Sequence, residues 1–150
     1  MTHAFEIPGE PTGKGRPRFS GGKNGRVHTY TPDKTAKYEQ LVKRCWKESG
    51  GESYGGRQVQ VSICAYFPIP KSYSKKRVEA ICMSGEQPVK KPDCDNIIKI
   101  VLDALNGLAY DDDKQVVAVC CIKRYAVRGR EPCVVVEISE VAGATNGSEQ

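Results

Sequence analysis

Hydrophobic and polar positions along the chain follow two different periods, one typical of strands and one typical of helices. Runs rich in β-branched and aromatic residues predict four strands, at residues 3–7, 58–67, 115–127 and 133–139. Apolar residues at helical spacing predict three helices, at residues 35–48, 75–81 and 95–106. The "RGREP" turn before the last strand is too short for a parallel crossover. We therefore predict an α+β fold, with a mixed and partly antiparallel sheet and helices packed against it.

The helix predicted at residues 95–106 has one apolar face and one polar face. At about 100° per residue, one arc of about 140° is apolar and is the expected core face; it holds Ile97, Ile98, Val101, Leu102 and Leu105. The opposite arc is polar and holds Asp95, Asn96, Lys99, Asp103 and Asn106. Asp95 is the expected N-cap of this helix, and Gly107 is the expected stop.

Length and composition indicate one domain. A chain of 150 residues with 39% hydrophobic composition supports one core. We expect a single domain at residues 1–140 and a flexible tail at 141–150, where the composition is small and polar. The N-terminus has no apolar signal run and no stretch reaches the length of a membrane span. The expected location is therefore cytoplasmic, with no membrane partner.

The seven cysteines do not form a recognisable framework. They are odd in number and scattered, and no pair has Cys-x-x-Cys spacing, which argues against zinc or disulfides. Four of them lie in apolar runs and are expected to act as small buried hydrophobes; these are Cys64, Cys120, Cys121 and Cys133.

The net charge is +5, and the charged residues are distributed unevenly along the chain. Residues 93–113 carry six aspartates and one lysine, whereas the segments before them are strongly basic. An acidic island in a basic frame suits a protein that binds a polyanion and holds a metal at one point on its surface. Taken singly, each feature is also compatible with ordinary solvated surface charge.

The acidic island contains "DCDN" before the helix and "DDDKQ" after it. Asp93 and Asp95 flank the start of the helix, where its dipole stabilises anions. A short connection returns the chain beside the helix, so Asp113 is expected to supply a third carboxylate. Oxygen ligands without His or Cys predict Mg²⁺, with Mn²⁺ as a substitute. Lys99 follows one turn along the helix, within reach of a phosphoryl oxygen or the attacking water.

These residues resemble the signature of RusA-type endodeoxyribonucleases, the Holliday junction resolvases common in phages and prophages. The resemblance rests on "KPDCDNIIKIVLDALNG" followed by "DDDKQV", and extends to "GKGRPRF", "YTPDKTAKYE" and "PKSYSKKR", over roughly residues 5–138. It implies a homodimer that binds four-way DNA junctions and makes paired nicks with Mg²⁺ or Mn²⁺. It also implies that the predicted domain is a nuclease domain that acts in DNA recombination and repair.

The resemblance assigns roles to particular residues. Asp93, Asp95 and Asp113 match the family's catalytic, metal-binding aspartates, and Lys99 matches its catalytic lysine. Asp112 is a further candidate ligand; Asp113 is preferred because it stands in the family's register before Lys114-Gln115. Asn96 and Asp103 match family positions without an assigned role.

Two basic regions are the expected DNA contacts. One is the Gly/Pro-rich stretch at residues 11–32, whose composition argues against much regular structure. The other extends from Lys71 to Lys91, just before Asp93. The predicted contacts are Lys14, Arg16, Arg18, Lys71, Lys75, Lys76, Arg77, Lys90 and Lys91. Phe19 or Tyr30 is a candidate for stacking on bases. His28 is expected to be a surface residue and Trp46 a packing residue.

Other functions remain open at this point. "GKG" lacks the spacing of a P-loop, so no nucleotide cofactor is expected. A glycosyltransferase would need a nucleotide-binding half, and an EF-hand would need a Gly and a distal Glu in the "DDDKQVV" segment. The alternatives to a junction resolvase are a branched-DNA or flap nuclease, and a DNA-binding recombination accessory protein without catalysis.

Overall fold

The computed structural model describes residues 1–15, 18–21, 27–30 and 33–142. Most of the predicted tail at 141–150 lies outside these residues, as do Arg16 and the side chains of Arg18, Phe19, His28 and Tyr30. The strands are β1 (Thr2–Pro8), β2 (Arg18–Gly21), β3 (Val27–Tyr30), β4 (Val59–Phe67), β5 (Val116–Tyr125) and β6 (Cys133–Glu140). The helices are α1 (Asp33–Glu48), α2 (Lys75–Ser84) and α3 (Cys94–Leu105), and a 3₁₀ turn spans Asp113–Gln115.

Four strands form one mixed sheet in the order β1-β6-β4-β5. β6 pairs antiparallel with both β1 and β4, whereas β4 and β5 are parallel. The predicted α+β class with a partly antiparallel sheet is therefore confirmed. β5 and β6 do run in opposite directions, but they are not hairpin neighbours, because β4 lies between them.

A second small sheet lies in the Gly/Pro-rich stretch. β2 and β3 pair antiparallel, with Arg18 opposite Tyr30 and Gly21 opposite Val27. The composition of this stretch argued against much regular structure, and these two short strands correct that expectation. Each of these strands has only four residues, so a few β-formers such as Val27 and Tyr30 are sufficient.

Helices cover one face of the main sheet. Alternate residues of β4 are buried on that face, and the residues between them are partly or fully exposed on the other. α1 and α3 pack against each other over this face, and the largest buried side chain is Trp46 of α1. Trp46 is 1% exposed and meets the rings of His3 and Phe5 edge-on, which confirms its predicted packing role.

The core face of α3 differs from the predicted one. Its buried residues are Ile97, Ile100, Val101, Ala104 and Leu105. Ile98 and Leu102 are only half-buried. The helix contacts β5, the last strand of this sheet in the described residues, and both residues pack against the edge of the core.

The ends of the helices are set by local chemistry. α3 begins at Cys94 and its N-cap is Asp93, so the prediction that Asp95 would cap it was wrong. The helix ends at Leu105, and Gly107 follows with φ +79°, a left-handed conformation that favours glycine. α2 starts after the N-cap Ser74 and ends at Ser84, and its C-cap Gly85 is also left-handed at φ 70°.

All seven cysteines are free. Cys133 is buried as predicted, and Cys64 and Cys121 are partly buried. Cys120 is exposed, which corrects its predicted burial. The reason is that β5 is an edge strand whose alternate residues face away from the helices. No helix within the described ranges combines the length and the apolar character that a bilayer crossing requires.

Candidate active site

Two exposed carboxylates stand at the start of α3. Asp93 has extended backbone angles, φ −79° and ψ 166°, and its Oδ1 accepts a hydrogen bond from the backbone N of Asn96 at 3.3 Å. Asp95 lies in the first turn of the helix, and both side chains are exposed. The unpaired N–H groups and the dipole of this helix end stabilise negative charge. The protein therefore holds two adjacent anionic groups open to solvent.

The N-terminal segment at residues 11–15 lies directly against this helix start. The backbone N of Lys14 donates to the carbonyl of Asn96 at 3.0 Å. Gly13 approaches so closely that an added Cβ would stand 2.7 Å from the Cβ of Pro92. Gly13 and Lys14 therefore lie beside the start of α3, close to its carboxylates.

Lys14 itself forms an intramolecular bridge between α1 and α3. Its Nζ lies 2.7 Å from Oε2 of Glu39 and 3.1 Å from Oδ2 of Asp103. Burial alone would lower the pKa of Lys14, but hydrogen bonds to the two carboxylates outweigh it, and the pKa is raised. In this conformation the ammonium group is held by protein carboxylates, and the predicted phosphate contact stays a prediction.

Lys99 lies on the solvent side of α3, one turn beyond Asp95. Its side chain is 63% exposed, and its Nζ is 4.0 Å from Oδ2 of Asp103. A contact this long and this exposed contributes little to stability. The ammonium group is therefore free to meet an anionic ligand near the start of the helix.

The third predicted aspartate lies at the other end of α3. The backbone N of Asp113 donates to Oδ1 of Asn106, the residue that follows the last turn of the helix, at 3.0 Å. Asp112 caps the 3₁₀ turn, because its Oδ1 accepts from the backbone N of Lys114 at 3.0 Å. That backbone hydrogen bond lowers the pKa of Asp112. Asp112 thus has a structural role in the turn, whereas the Asp113 side chain is exposed.

The two acidic groups are far apart within one chain. α3 has 12 residues, which at a rise of about 1.5 Å per residue gives a length of roughly 18 Å. β5 runs back along the helix, and the Sγ of Cys94 lies 3.5 Å from the carbonyl O of Cys121. The predicted return of the chain beside the helix therefore occurs, but it places Asp113 near the C-terminal end of α3. Within the part of the chain that the structure describes, no three His, Cys, Asp or Glu side chains meet closely enough to hold a metal ion.

The donors at the helix start nevertheless suit a hard cation. Asp93 and Asp95 offer oxygen atoms only, and both are exposed. Mg²⁺ commonly binds through one or two carboxylates and completes its shell with water and substrate phosphates. Asp93 and Asp95 fit that pattern, whereas Asp113 lies near the other end of α3.

The remaining predicted DNA contacts lie on both sides of α2. Lys75 and Lys76 are exposed in its first turn, and Lys71 is exposed just before it. Arg77 is less available, because its guanidinium pairs with Glu86 at 2.7 Å and lies over the ring of Tyr73. Lys90 and Lys91 are exposed and lie three and two residues before Asp93, respectively. These two lysines therefore place positive charge beside the carboxylates.

Three residues with a clear positioning role were not predicted. Glu39 holds Lys14, and Asn106 holds the backbone of Asp113. Gln115 accepts from the backbone N of Asp112 and donates to the carbonyl groups of Gly55 and Arg57. The three-residue spacing of Asp112 and Gln115 is that of a capping box and was visible in the sequence. The contact of Glu39 depends on how α1 meets α3, which no local pattern encodes.

An α+β domain with exposed carboxylates at a helix start and lysines beside them has the features of a protein that acts on nucleic acid. Residues 8–139 match the family model described as Endodeoxyribonuclease RusA, and the chain belongs to this family of endodeoxyribonucleases. The chain is also 40% identical over 140 residues to YqaN of Bacillus subtilis (strain 168), described as an uncharacterized protein. That alignment covers 92% of this chain and 96% of the relative.

Proposed function

We propose that the protein is a Mg²⁺-dependent endonuclease that resolves four-way DNA junctions by paired cuts. The observation that carries the proposal is the exposed Asp93–Asp95 pair at the start of α3, with Lys99 one turn along, inside a chain of the RusA family. Supporting it, the exposed basic residues of α2 and its surroundings provide a surface that favours a polyanion.

Each residue has a distinct role in this proposal. Asp93 and Asp95 would hold the metal ion, which would supply a polarised phosphoryl oxygen and an activated water. Asp113 stays the predicted third ligand, with Asp112 as the weaker candidate because it caps the turn. Within one chain the length of α3 separates both residues from Asp93 and Asp95. Lys99 stabilises the negative charge that develops on the phosphoryl group as the bond breaks. Mn²⁺ would substitute for Mg²⁺, since both prefer oxygen ligands.

The basic residues position the DNA and carry no chemistry. Lys90 and Lys91 hold the phosphates nearest to the carboxylates, and the lysines around α2 extend the contact surface. Arg16 and Arg18 follow a segment that is fixed against α3. The proposed substrate has two equivalent strands to cut, so we propose a homodimer with two equivalent sites.

The test uses a labelled four-way junction, a matching linear duplex and a flap substrate, each with and without Mg²⁺. We expect cuts at symmetric positions of the junction and little cleavage of the duplex. Asp93→Asn and Asp95→Asn should abolish cleavage and leave binding equal or tighter, because each removes a ligand and a negative charge next to DNA. Asp111→Asn is the matched control: it makes the same charge change at an exposed residue outside the proposed ligand set, and should be nearly silent.

Two results would replace this function with another. Equal cleavage of flaps and junctions would indicate a general branched-DNA nuclease. Junction binding without cleavage at any concentration of Mg²⁺ or Mn²⁺ would indicate an accessory DNA-binding protein. If Asp111→Asn is inactive and Asp113→Asn is active, the choice of Asp113 within "DDD" is wrong.

A further inference from the structure

The connection between β5 and β6 carries a cluster of arginines to which no role has been assigned so far. Arg124 is the residue before the last of β5, and Arg128 and Arg130 follow in the turn. All three residues are exposed. None of them forms an ion pair within the described residues, whereas Arg57 and Arg77 are each paired with a glutamate. Three guanidinium groups are therefore open to an anionic partner.

Few carboxylates oppose this cluster. Residues 123–131 carry four basic groups and one acidic group, Glu131. Glu86 borders the same small cleft as Arg124 and Arg130, but its carboxylate is paired with Arg77 at 2.7 Å. A surface with this excess of positive charge favours a polyanion.

The backbone of the turn holds Arg128 in a conformation that arginine rarely adopts. The backbone N of Arg130 donates to the carbonyl of Val127 at 3.1 Å, and the two residues between them have positive φ, 57° for Arg128 and 80° for Gly129. These are the φ signs of a type I′ turn, in which Gly, Asn or Asp is preferred at both central positions. Among the described residues, Arg128 is the one non-glycine with positive φ. Because this conformation is unfavourable for arginine, folding does not account for its presence there.

The turn lies at the end of the sheet where α3 begins. The ammonium group of Lys123 donates to the carbonyl of Lys90, three residues before Asp93. Arg128 follows Lys123 by five residues, so their Cα atoms lie within roughly 17 Å of each other. One strand of duplex DNA has a phosphate about every 3.4 Å along the axis, and 17 Å corresponds to about five base pairs. A duplex arm with one phosphate at the carboxylates can therefore place another phosphate at the turn.

We propose that the β5–β6 turn is a second DNA contact surface, where Arg124, Arg128 and Arg130 hold phosphates of a duplex arm about five base pairs from the phosphate at the carboxylates. The proposal rests on the proposed function, which supplies the DNA and its position. Arginine suits this contact, because its planar fork donates two parallel hydrogen bonds to one phosphate. Arg130 also lies over the ring of Tyr66 at 3.8 Å, which holds its guanidinium in place before DNA binds.

Arg128→Gly separates this contact from a role in folding. Glycine adopts positive φ without strain, so the urea midpoint should stay equal or rise. Junction affinity without metal should fall roughly tenfold at low salt, the effect of losing about one charge-assisted contact. The slope of log K against log salt should fall by about 1, and Arg128→Lys, which keeps the charge, should keep the slope. Lower affinity together with a lower urea midpoint would make Arg128 a structural residue and refute the contact.

A matched control removes one positive charge far from the turn. Arg44 is exposed on α1, and Ser49 just after this helix contacts His3, which lies at the other end of the sheet from the turn. Arg44→Gln should leave the affinity and the salt slope close to wild type, whereas Arg124→Gln should lower the slope by about 1. Equal losses in Arg44→Gln and Arg128→Gly would indicate a general effect of net charge and overturn the proposal.

Uncharged phosphates in the DNA locate the contact. A patch of methylphosphonate linkages, which carry no charge, would be moved along each arm of the junction. At about five nucleotides from the branch point it should weaken binding by wild type and leave binding by Arg128→Gly nearly unchanged. If no patch position distinguishes the two proteins, the turn does not hold these phosphates.

Cleavage assays distinguish failure of this surface from failure of the proposed function. Wild-type protein that binds junctions through the turn but does not cut them with Mg²⁺ or Mn²⁺ would contradict the nuclease function and leave the contact standing. Wild-type protein that cuts junctions, together with an Arg128→Gly variant that binds as tightly at every salt concentration, would overturn the contact and leave the nuclease function standing.

Discussion

Replacing Lys14 by Met tests whether this residue is a structural bridge or a DNA contact. Met keeps most of the apolar stem and removes the ammonium group. In the structure that group lies 2.7 Å from Glu39 and 3.1 Å from Asp103, and the three side chains are 19%, 19% and 29% exposed. The variant therefore loses two charge-assisted hydrogen bonds. It also leaves two carboxylates facing each other without a cation between them.

The expected loss of stability is substantial. A hydrogen bond to a charged group contributes about 1.5–3 kcal/mol when well buried. Partial exposure reduces each contact here, so we expect a combined loss of about 2–3 kcal/mol. A loss of 1 kcal/mol lowers Tm by about 2–4 °C for a domain near this size, so Tm should fall by roughly 4–12 °C.

Urea unfolding followed by circular dichroism measures the effect. Lys37→Met is the matched control, because it removes an exposed charge from α1, the helix that carries Glu39, and should change stability by less than about 0.5 kcal/mol. A double-mutant cycle with Asp103→Asn should give a coupling energy of about 1 kcal/mol or more.

Junction binding at several salt concentrations separates the two roles of Lys14. A structural bridge predicts that the slope of log K against log salt is unchanged in Lys14→Met. A phosphate contact predicts that the slope falls by about 1, with little change in stability. The second pattern, with unchanged urea midpoints, would refute the bridge.

Three further changes probe other parts of the molecule. Lys99→Ala should slow junction cleavage by about 10²–10³-fold and change stability by less than about 0.5 kcal/mol; equal losses in binding and rate would make Lys99 only a phosphate anchor. Gly13→Ala should lower the free energy of unfolding by about 1–3 kcal/mol, because its Cβ would stand 2.7 Å from Pro92; Gly56→Ala, with no atom closer than 3.6 Å, is the control, and equal urea midpoints would refute the close contact. Burial raises the pKa of Cys121 from 9.0 to about 12. The folded state therefore keeps this proton longer than the unfolded state, and stability should fall as pH rises from about 9. Urea titrations between pH 8 and 10.5 should show a shallower fall in Cys121→Ala, and parallel curves would contradict the assignment.

Local patterns predicted most elements of the fold, because the elements are strongly periodic. All four predicted strands exist as β1, β4, β5 and β6, and α1 and α3 begin and end within two residues of the predicted limits. The order of the strands was not predictable from such patterns. The connection from β5 to β6 is short enough for a hairpin, yet it crosses the end of β4. This strand order depends on how β4, β5 and β6 pack together beneath the helices.

The sequence indicated which residues belong to the candidate site, but it indicated their arrangement less completely. Asp93, Asp95 and Lys99 lie near one another because they belong to one helix start, and helical periodicity predicts such proximity. The predicted N-cap was two residues too late, because Asp93 and Asp95 are equally good capping residues. The bridge from Lys14 to Glu39 and Asp103 joins three distant parts of the sequence. No spacing rule indicates it.

The short connection from α3 to β5 led us to expect Asp113 near Asp93 and Asp95. The same connection explains where Asp113 does lie. A link of a few residues after a helix can bring the next strand alongside only by reversing the direction of the chain. The strand must then begin where the helix ends, so Asp113 is held by Asn106, and β5 reaches the start of α3 only at Cys121. Within one chain, the length of α3 separates Asp113 from Asp93 and Asp95, and no change of side-chain conformation shortens the helix.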